Sequence, residues 1–415
     1  MIVNKKKILV FTNLFPPDGG SGVHRIVKFV KYLEPLGFRS YVITGNNNGR
    51  QDMTLLDDIP QKTKIFRKQA FHFKIGNTLI KIIKLLKTWL FLPDGYILKV
   101  LARLFLAKKI MNQYSINTIF ASSPPYSIIV GAVILKKMTG AKLILDFRDP
   151  WADNPFHHWT PLKRFFQYQI ESWAVKQADV LIANTMELYG VLIKKYPDKK
   201  IITINNGFDQ SDFLNINVDS NDKKELPLSI VHTGEFYSEI RSPDSLLTAI
   251  GELLKEGKVN ESSLSIKFFG GGELTEEETF LDLMNRYDLD KVIENNNFIP
   301  HKEAIVEMMK ADVLLLMQNS AKLYMQIPAK AFEYLYLRKT VLCLAPHGAT
   351  SDLIHKTDSG FVVDPENISE LKEKIIQLVR LKKEGKLEKQ FSFKDIDKYD
   401  RKNLTLKLST ILDTL

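Results

Sequence analysis

Short, nearly continuous apolar runs alternate with helical patterns along this 415-residue chain, and the alternation runs through twice. In the first half the runs fall at 7–13, 40–44, 118–121, 142–147, 179–183 and 201–205, with helical patterns at 23–36, 125–138 and 161–177. In the second half they fall at 228–233, 264–269, 292–299, 312–317, 340–344 and 360–363, with helices fitting 243–256, 275–287, 302–310, 329–337 and 369–384. Strands that lack in-and-out alternation are buried on both faces, which is the condition of parallel sheets covered by crossover helices. The expected fold is therefore α/β: two doubly wound, Rossmann-like domains facing across a cleft. The length exceeds one ordinary core and suits two domains of about 200 residues. The polar stretch 214–227 has linker composition. Domains 1–215 and 216–390 are expected, with 391–415 forming a C-terminal helix that packs back on the first. Open α/β sheets bind ligands outside the carboxyl ends of their strands, so the loops there and the cleft are where a site is expected.

Charge separates the two halves. Residues 1–215 carry 31 basic and 15 acidic side chains, and residues 216–415 carry 27 and 33, so different partners are expected for each. Between Gln61 and Tyr114 twelve Lys and Arg stand against one acid, Asp94. There Leu79, Ile82, Ile83, Leu86 and Leu90 recur at helical spacing beside Lys81, Lys84 and Lys87, and Leu98, Leu101, Leu104 and Phe105 resume the pattern. The pattern is too interrupted to span a bilayer and reads as an interfacial helix; the alternative is a stripe packed on the sheet under solvated lysines. The expectation is a peripheral membrane surface through the basic 61–114 segment, no nucleic-acid partner, and a cytoplasmic protein at the inner face of the cell membrane. The run 8–11 after Lys5, Lys6 and Lys7 is too short for a secretory signal. The single cysteine, Cys343, excludes an intramolecular disulfide and a cysteine-built zinc site.

The loop after the first strand places Gly20, Gly22 and Arg25 in the order G-x-G-x-x-R. Bare backbone at a helix N-terminus suits a phosphate or a sugar. The third glycine of a dinucleotide fingerprint and the acid at the second strand end are both missing, which argues against a nicotinamide or flavin site. Asp146-Phe147-Arg148-Asp149-Pro150-Trp151 closes a buried strand. Two carboxylates around an arginine are costly there unless paired, solvated or functional. They read either as a structural ion network or as contacts to a reacting hydroxyl, with Asp149 and Arg148 the candidates. His157 and His158 follow as loop histidines.

In the second half His232-Thr233-Gly234 ends a strand, and Arg241 stands two residues before Pro243 at a helix start. A glycine turn, a guanidinium and a helix N-terminus suit an anion. Gly270 and Gly271 end the next strand, where a nucleotide can lie on bare backbone. Lys330 and Glu333 are three apart and share a helix face. They read as an ordinary ion pair, or as a phosphate contact and a ribose contact. Asp395 and Asp397 lie away from the strand ends and read as solvated surface rather than metal ligands.

Taken in order, these motifs resemble the two-domain glycosyltransferases of the GT-B fold, in particular the family 4 transferases of bacterial surface-polysaccharide pathways. The resemblance covers nearly the whole chain. It is carried by Pro16-Pro17-Asp18-Gly19-Gly20-Ser21-Gly22, Ser123-Pro124-Pro125, the 146–151 motif, Asn206-Gly207-Phe208-Asp209, Arg241-Ser242-Pro243 and Pro328-Ala329-Lys330-Ala331-Phe332-Glu333-Tyr334. It implies retaining transfer from a nucleotide-diphosphate sugar to a glycan or polyprenyl-diphosphate-linked glycan acceptor in O-antigen or capsule synthesis. It implies catalytic roles for Asp149, Arg148, Arg241 and Lys330, and donor binding by Gly20, Gly234, Arg241, Gly270, Gly271, Lys330 and Glu333. No resident cofactor and no metal are expected, because cationic side chains and helix N-termini can meet the charge of the leaving diphosphate. The family pairs two glutamates eight residues apart; Glu333 matches the second, and the first falls at Met325. A sugar-nucleotide epimerase of the same fold, or a non-enzymatic basic module on membrane or nucleic acid, are the competing readings.

Overall fold

The computed structural model describes residues 6–45, 51–68, 91–214, 216, 227–237 and 240–415. The chain divides into one unit of Met1–Asn206 with Arg401–Leu415 and a second of Gly207–Asp400. The joins thus fall at 206 and 400, against 215 and 390 in the sequence reading.

The first unit is built on seven strands: β1 (Lys6–Phe11), β2 (Phe38–Thr44), β3 (Lys64–Arg67), β4 (Thr118–Ser123), β5 (Lys142–Phe147), β6 (Val180–Ala183) and β7 (Ile201–Thr203). All pair in parallel in the order β3-β2-β1-β4-β5-β6-β7. Its helices include α1 (Ser21–Leu33), α2 (Ile97–Leu101), α3 (Leu104–Tyr114), α4 (Ser127–Thr139), α5 (Pro161–Gln177) and α6 (Met186–Lys195). The strand order reverses between β1 and β4, and ligands of such sheets bind at that point. The loops there are the glycine loop after β1 and Ser123-Pro124-Pro125 after β4, with 148–151 following β5 next door.

The second unit holds β8 (Leu228–Thr233), β9 (Leu264–Phe269), β10 (Ile293–Asn296), β11 (Val313–Met317), β12 (Thr340–Leu344) and β13 (Gly360–Val363). These too are parallel, in the order β10-β9-β8-β11-β12-β13, so its reversal lies between β8 and β11. Its helices are α7 (Asp244–Lys255), α8 (Glu278–Tyr287), α9 (His301–Lys310), α10 (Ala329–Leu337), α11 (Ala349–Thr357) and α12 (Ile368–Lys383). Every residue of β11 and β12 is buried, as a central parallel strand requires.

The chain closes with α13 (Arg401–Asp413), which packs on α1 of the first unit. Leu404, Leu408, Ile411 and Leu412 enter the same core as Val23, Ile26, Val27 and Val30. Each such aliphatic side chain contributes about 1.5–3 kcal/mol of burial. That is why the last fifteen residues belong to the first unit.

Three elements have no clear sequence signal. Strand β3 is a four-residue edge strand with every side chain only half buried. Helix α6 is short and rests on a Thr185 cap to the Leu188 N–H. Helix α11 starts at Gly348, whose N–H donates to Ser351 Oγ. Strand β10 ends at Asn296, short of the expected 299, just before Asn297 and Pro300. Of the expected interfacial helix, residues 69–90, with Lys81, Lys84 and Lys87, lie outside the described residues. In the described part the stripe splits: Leu104 is buried, whereas Leu98 and Phe105 are exposed. Among the described residues no helix is long and apolar enough to cross a membrane.

Candidate functional site

In the second unit the candidate groups gather at the carboxyl ends of β8 and β11. Strand β8 ends in Thr233, and Gly234 turns the chain with φ +119°. A Cβ at Gly234 would lie 2.5 Å from Lys330 Nζ, so the glycine serves both the turn and the lysine. Lys330 is on the first turn of α10 and donates to the Thr233 carbonyl. His232 Nδ1–H donates to the Leu315 carbonyl at 2.9 Å, which leaves its Nε2 lone pair toward Lys330 Nζ at 3.5 Å. Burial and the positive Lys330 hold His232 well below its usual value, so it stays neutral. Burial, reinforced by the charge of Arg241, pushes Lys330 down to about 7.

Arg241 follows the β8 loop. Its guanidinium lies 5.6 Å from the centre of the Tyr237 ring, and its Nε is buried with no hydrogen-bond partner among the described residues. Buried donors of charged groups are almost always satisfied, so an orphaned one marks a place for an absent acceptor. Asn319, just beyond β11, donates to the Ser242 carbonyl at 3.0 Å while its Oδ1 is likewise buried without a partner among the described residues. Sequence reasoning did not single out Asn319; its only signal is a position two residues past a buried strand.

Glu333 sits one turn after Lys330. Its Oε1 is 3.0 Å from His301 Nε2, at the start of α9, and its charge also bears on Lys330. His301 is a second residue that spacing alone did not reveal. Gly270 (φ +84°) brings bare backbone beside the half-exposed Phe298 ring, 3.7 Å from where a Cβ would stand. A Cβ at Gly271 would lie 2.5 Å from Thr275 and 3.0 Å from Phe236, so this glycine keeps a packed loop close. Phe236 stacks on His232 with ring centres 5.3 Å apart. Met325 is buried, and its loop is fixed by Gln318, which donates to the Leu323 and Gln326 carbonyls at 3.1 and 3.2 Å. The position of the family's first glutamate is therefore apolar core.

In the first unit Asp146 and Arg25 are both fully buried and bonded in a fork: Arg25 Nη2 donates to Oδ1 at 2.7 Å and Nε to Oδ2 at 3.0 Å. Ser122 adds a 2.6 Å bond to the same carboxylate, and Arg25 also donates to the Ile204 and Asn205 carbonyls, both at 2.8 Å. Asp146 is therefore structural, and its partner is Arg25, not the neighbouring Arg148. Arg148 instead donates to the Ser123 carbonyl at 3.0 Å and to that of Pro124. Its guanidinium fills the space where a Cβ at Gly22 would stand, 1.6 Å from Nη1. Gly20 caps α1 at φ +109°, and no atom of the described residues lies within 4 Å of where a Cβ would stand.

Asp149 is half buried at the end of the β5 loop. Burial pushes its carboxyl up, and the Arg148 charge opposes the shift. The loop is pinned behind it: Trp151 stacks on Tyr126 with ring centres 5.0 Å apart, and its Nε1 donates to Gln167 at 2.8 Å. His157 stacks on Trp159, is held below its usual value by burial, and has an Nε2 with no partner among the described residues, whereas His158 is exposed. Asp395 and Asp397 are exposed on either side of buried Ile396.

Residues 19–212 match the family model described as Glycosyltransferase Family 4, and residues 216–394 match the model described as Glycosyl transferases group 1. Among solved structures the chain is similar to a glycosyltransferase from Rickettsia africae ESF-5, with TM-score 0.66 and 16% identity over 99% of this chain and 98% of that one. It is similar to sucrose-phosphate synthase from Thermosynechococcus elongatus, with TM-score 0.68 and 12% identity over 99% of each chain. A UDP-N-acetylglucosamine 2-epimerase described as such from Listeria monocytogenes also aligns, with TM-score 0.58 and 12% identity over 99% of this chain and 96% of that one. At these identities the likeness is one of fold. No curated protein sequence matches the chain.

Proposed function

The chain belongs to the GT-B-fold glycosyltransferases of the family 4 type, and we propose that it is a retaining transferase acting on a lipid-linked glycan in surface-polysaccharide (O-antigen or capsule) assembly. The donor is a nucleotide-diphosphate sugar. The observation that carries the donor assignment is the pair of cations at the end of β8: Lys330 against Thr233, and Arg241, whose buried Nε has no partner among the described residues. Two positive groups held beside a glycine turn and a helix N-terminus suit a diphosphate. As the sugar–phosphate bond breaks toward an oxocarbenium-like sugar, these groups meet the charge growing on the departing diphosphate, and no metal is invoked. Glu333, oriented by His301, accepts the ribose hydroxyls. Gly234, Gly270 and Gly271 let the nucleotide lie against backbone, and Gly20 offers its bare backbone to the donor sugar. Asp149 touches the reacting acceptor hydroxyl, with Arg148 holding its loop and charge. A polyprenyl diphosphate is the proposed carrier of the acceptor glycan, and the inner membrane face its place.

A screen against nucleotide sugars, reading release of free nucleoside diphosphate with and without acceptor glycan, tests this reading. Release is expected to depend on acceptor and to fall sharply in Asp149→Asn while donor binding persists. Turnover without acceptor would instead favour an epimerase, and full transfer by Asp149→Asn would remove its role.

The pH dependence of donor binding follows from Lys330. Its free-state value of about 7 must rise when an anion binds beside it, so binding above neutrality takes up a proton. Donor affinity is expected to be flat below that value and to fall by up to about tenfold per pH unit above it, until the bound-state value is passed. A nucleotide-diphosphate sugar is the right probe, because its diester phosphates do not titrate in that range. Calorimetric titrations showing equal affinity on both sides of neutrality would remove Lys330 from the diphosphate.

A further inference from the structure

We propose that the outer face of the first unit's helix layer, centred on the N-terminal half of α5, docks on an anionic phospholipid surface. The amphipathicity of α5 is inverted there. Its inward face carries polar groups that are fully engaged. Buried Gln167 accepts from Trp151 Nε1 at 2.8 Å and donates to the Pro93 carbonyl at 2.7 Å. Buried Glu171 accepts from the Ala152 N–H, Lys195 Nζ and the Tyr196 hydroxyl at 2.7, 2.7 and 2.8 Å. The outward face, at i, i+3 and i+4, carries Leu162, Phe165 and Phe166, which are 56%, 54% and 41% exposed. A helix in water shows the opposite arrangement. Three large apolar side chains grouped on one exposed turn mark a binding surface rather than scattered surface hydrophobes.

Charge identifies the occupant. The stretch 154–170 holds Lys163 and Arg164 and no Asp or Glu. Lys163 Nζ lies 5.8 Å from the centre of the Trp159 ring, and Trp159, Pro161, Arg164, Phe165 and Tyr168 line an open hollow of about 370 Å³. Helix α4 packs against α5 and also against α2 and α3. Those two helices expose Leu98 (60%) and Phe105 (78%), and residues 95–114 again hold basic side chains and no acid. Apolar side chains flanked by lysine and arginine match the acyl boundary and headgroups of an anionic leaflet. A second copy of the chain fits poorly, because it would bring this same basic face against itself. The surface joins α5 to the described end of the basic 61–114 segment on which the sequence places membrane contact. It deepens the lipid-linked-acceptor reading by naming where the bilayer would sit, and vesicle binding tests it apart from transfer.

The experiment is co-sedimentation of the full chain with vesicles of phosphatidylcholine alone, and with one quarter of the lipid replaced by phosphatidylglycerol, at low salt. Wild type is expected to partition to the anionic vesicles at least about tenfold more strongly than to neutral ones. Leu162→Ser, Phe165→Ser and Phe166→Ser combined should lower that partition by about tenfold or more, and Lys163→Glu with Arg164→Glu should abolish the preference for anionic lipid. Nucleotide-sugar binding, read in parallel, should be unchanged in both variants; if the triple variant loses it, the single Phe165→Ser protein decides, with a smaller loss of partition expected. Wild type that stays in the supernatant, or variants that sediment as wild type does, would overturn the proposal and leave the transferase reading standing. A lipid-free dimer that the triple variant converts to monomer would also overturn it, by assigning the face to a second copy.

Discussion

Lys330→Ala is expected to lower turnover by about 10²–10³-fold while leaving the fold intact. The lysine ammonium lies against the Thr233 carbonyl, beside the neutral His232, at the mouth of the β8–β11 reversal. A cation held in place before the reaction needs no reorganisation as charge develops on the leaving diphosphate, so its loss falls mainly on the chemical step. Glu333 keeps its 3.0 Å contact with His301 when the lysine is removed, so the carboxylate is not left buried without a partner. Steady-state kinetics with a matched donor should show kcat falling more than KM rises. Near-normal kcat in Lys330→Ala would refute the donor assignment.

Asp146→Ala should be the most damaging single change to stability in the first unit, at about 3–5 kcal/mol. Asp146 and Arg25 are both 0% exposed, and the carboxylate is the only anion the guanidinium meets among the described residues. Without it a buried charge faces backbone carbonyls, an asparagine and the Phe29 ring, none of which carries a counter-charge. The arginine ties α1 to the ends of β5 and β7, so the loss would loosen the loops that carry Gly20 and Asp149. All four tryptophans fall within residues 1–206, so tryptophan fluorescence during urea unfolding reports on this unit. Asp146→Asn should be less severe, because it keeps acceptor capacity but not charge. A loss below about 1 kcal/mol in Asp146→Ala would mean that the pair is solvated rather than buried.

The sequence by itself determined what lies within one strand or one helical turn. The run 340–344 coincides with β12, a strand buried at every position, and the runs 228–233 and 264–269 coincide with β8 and β9, although β9 alternates buried and half-buried side chains. Lys330 and Glu333 share a helix face because three residues make nearly one turn. The glycines at 20, 234 and 270 were legible as backbone positions, and each has positive φ.

Partnership across the chain was decided only by the tertiary structure. Arg148 sits two residues from Asp146, yet Asp146 is claimed by Arg25, 121 positions away. The choice follows from β4 and β5 being neighbours and α1 crossing behind them, which strand order alone sets. Lys330 reaches the Thr233 carbonyl and Glu333 reaches His301, contacts that join elements distant in sequence. The period of Leu162, Phe165 and Phe166 looks like a core-facing stripe. Trp151, Lys195 and Tyr196 converge on the other side of α5 and fill it with Gln167 and Glu171. A helical period shows that a face exists; only the groups brought against the helix decide which face turns inward.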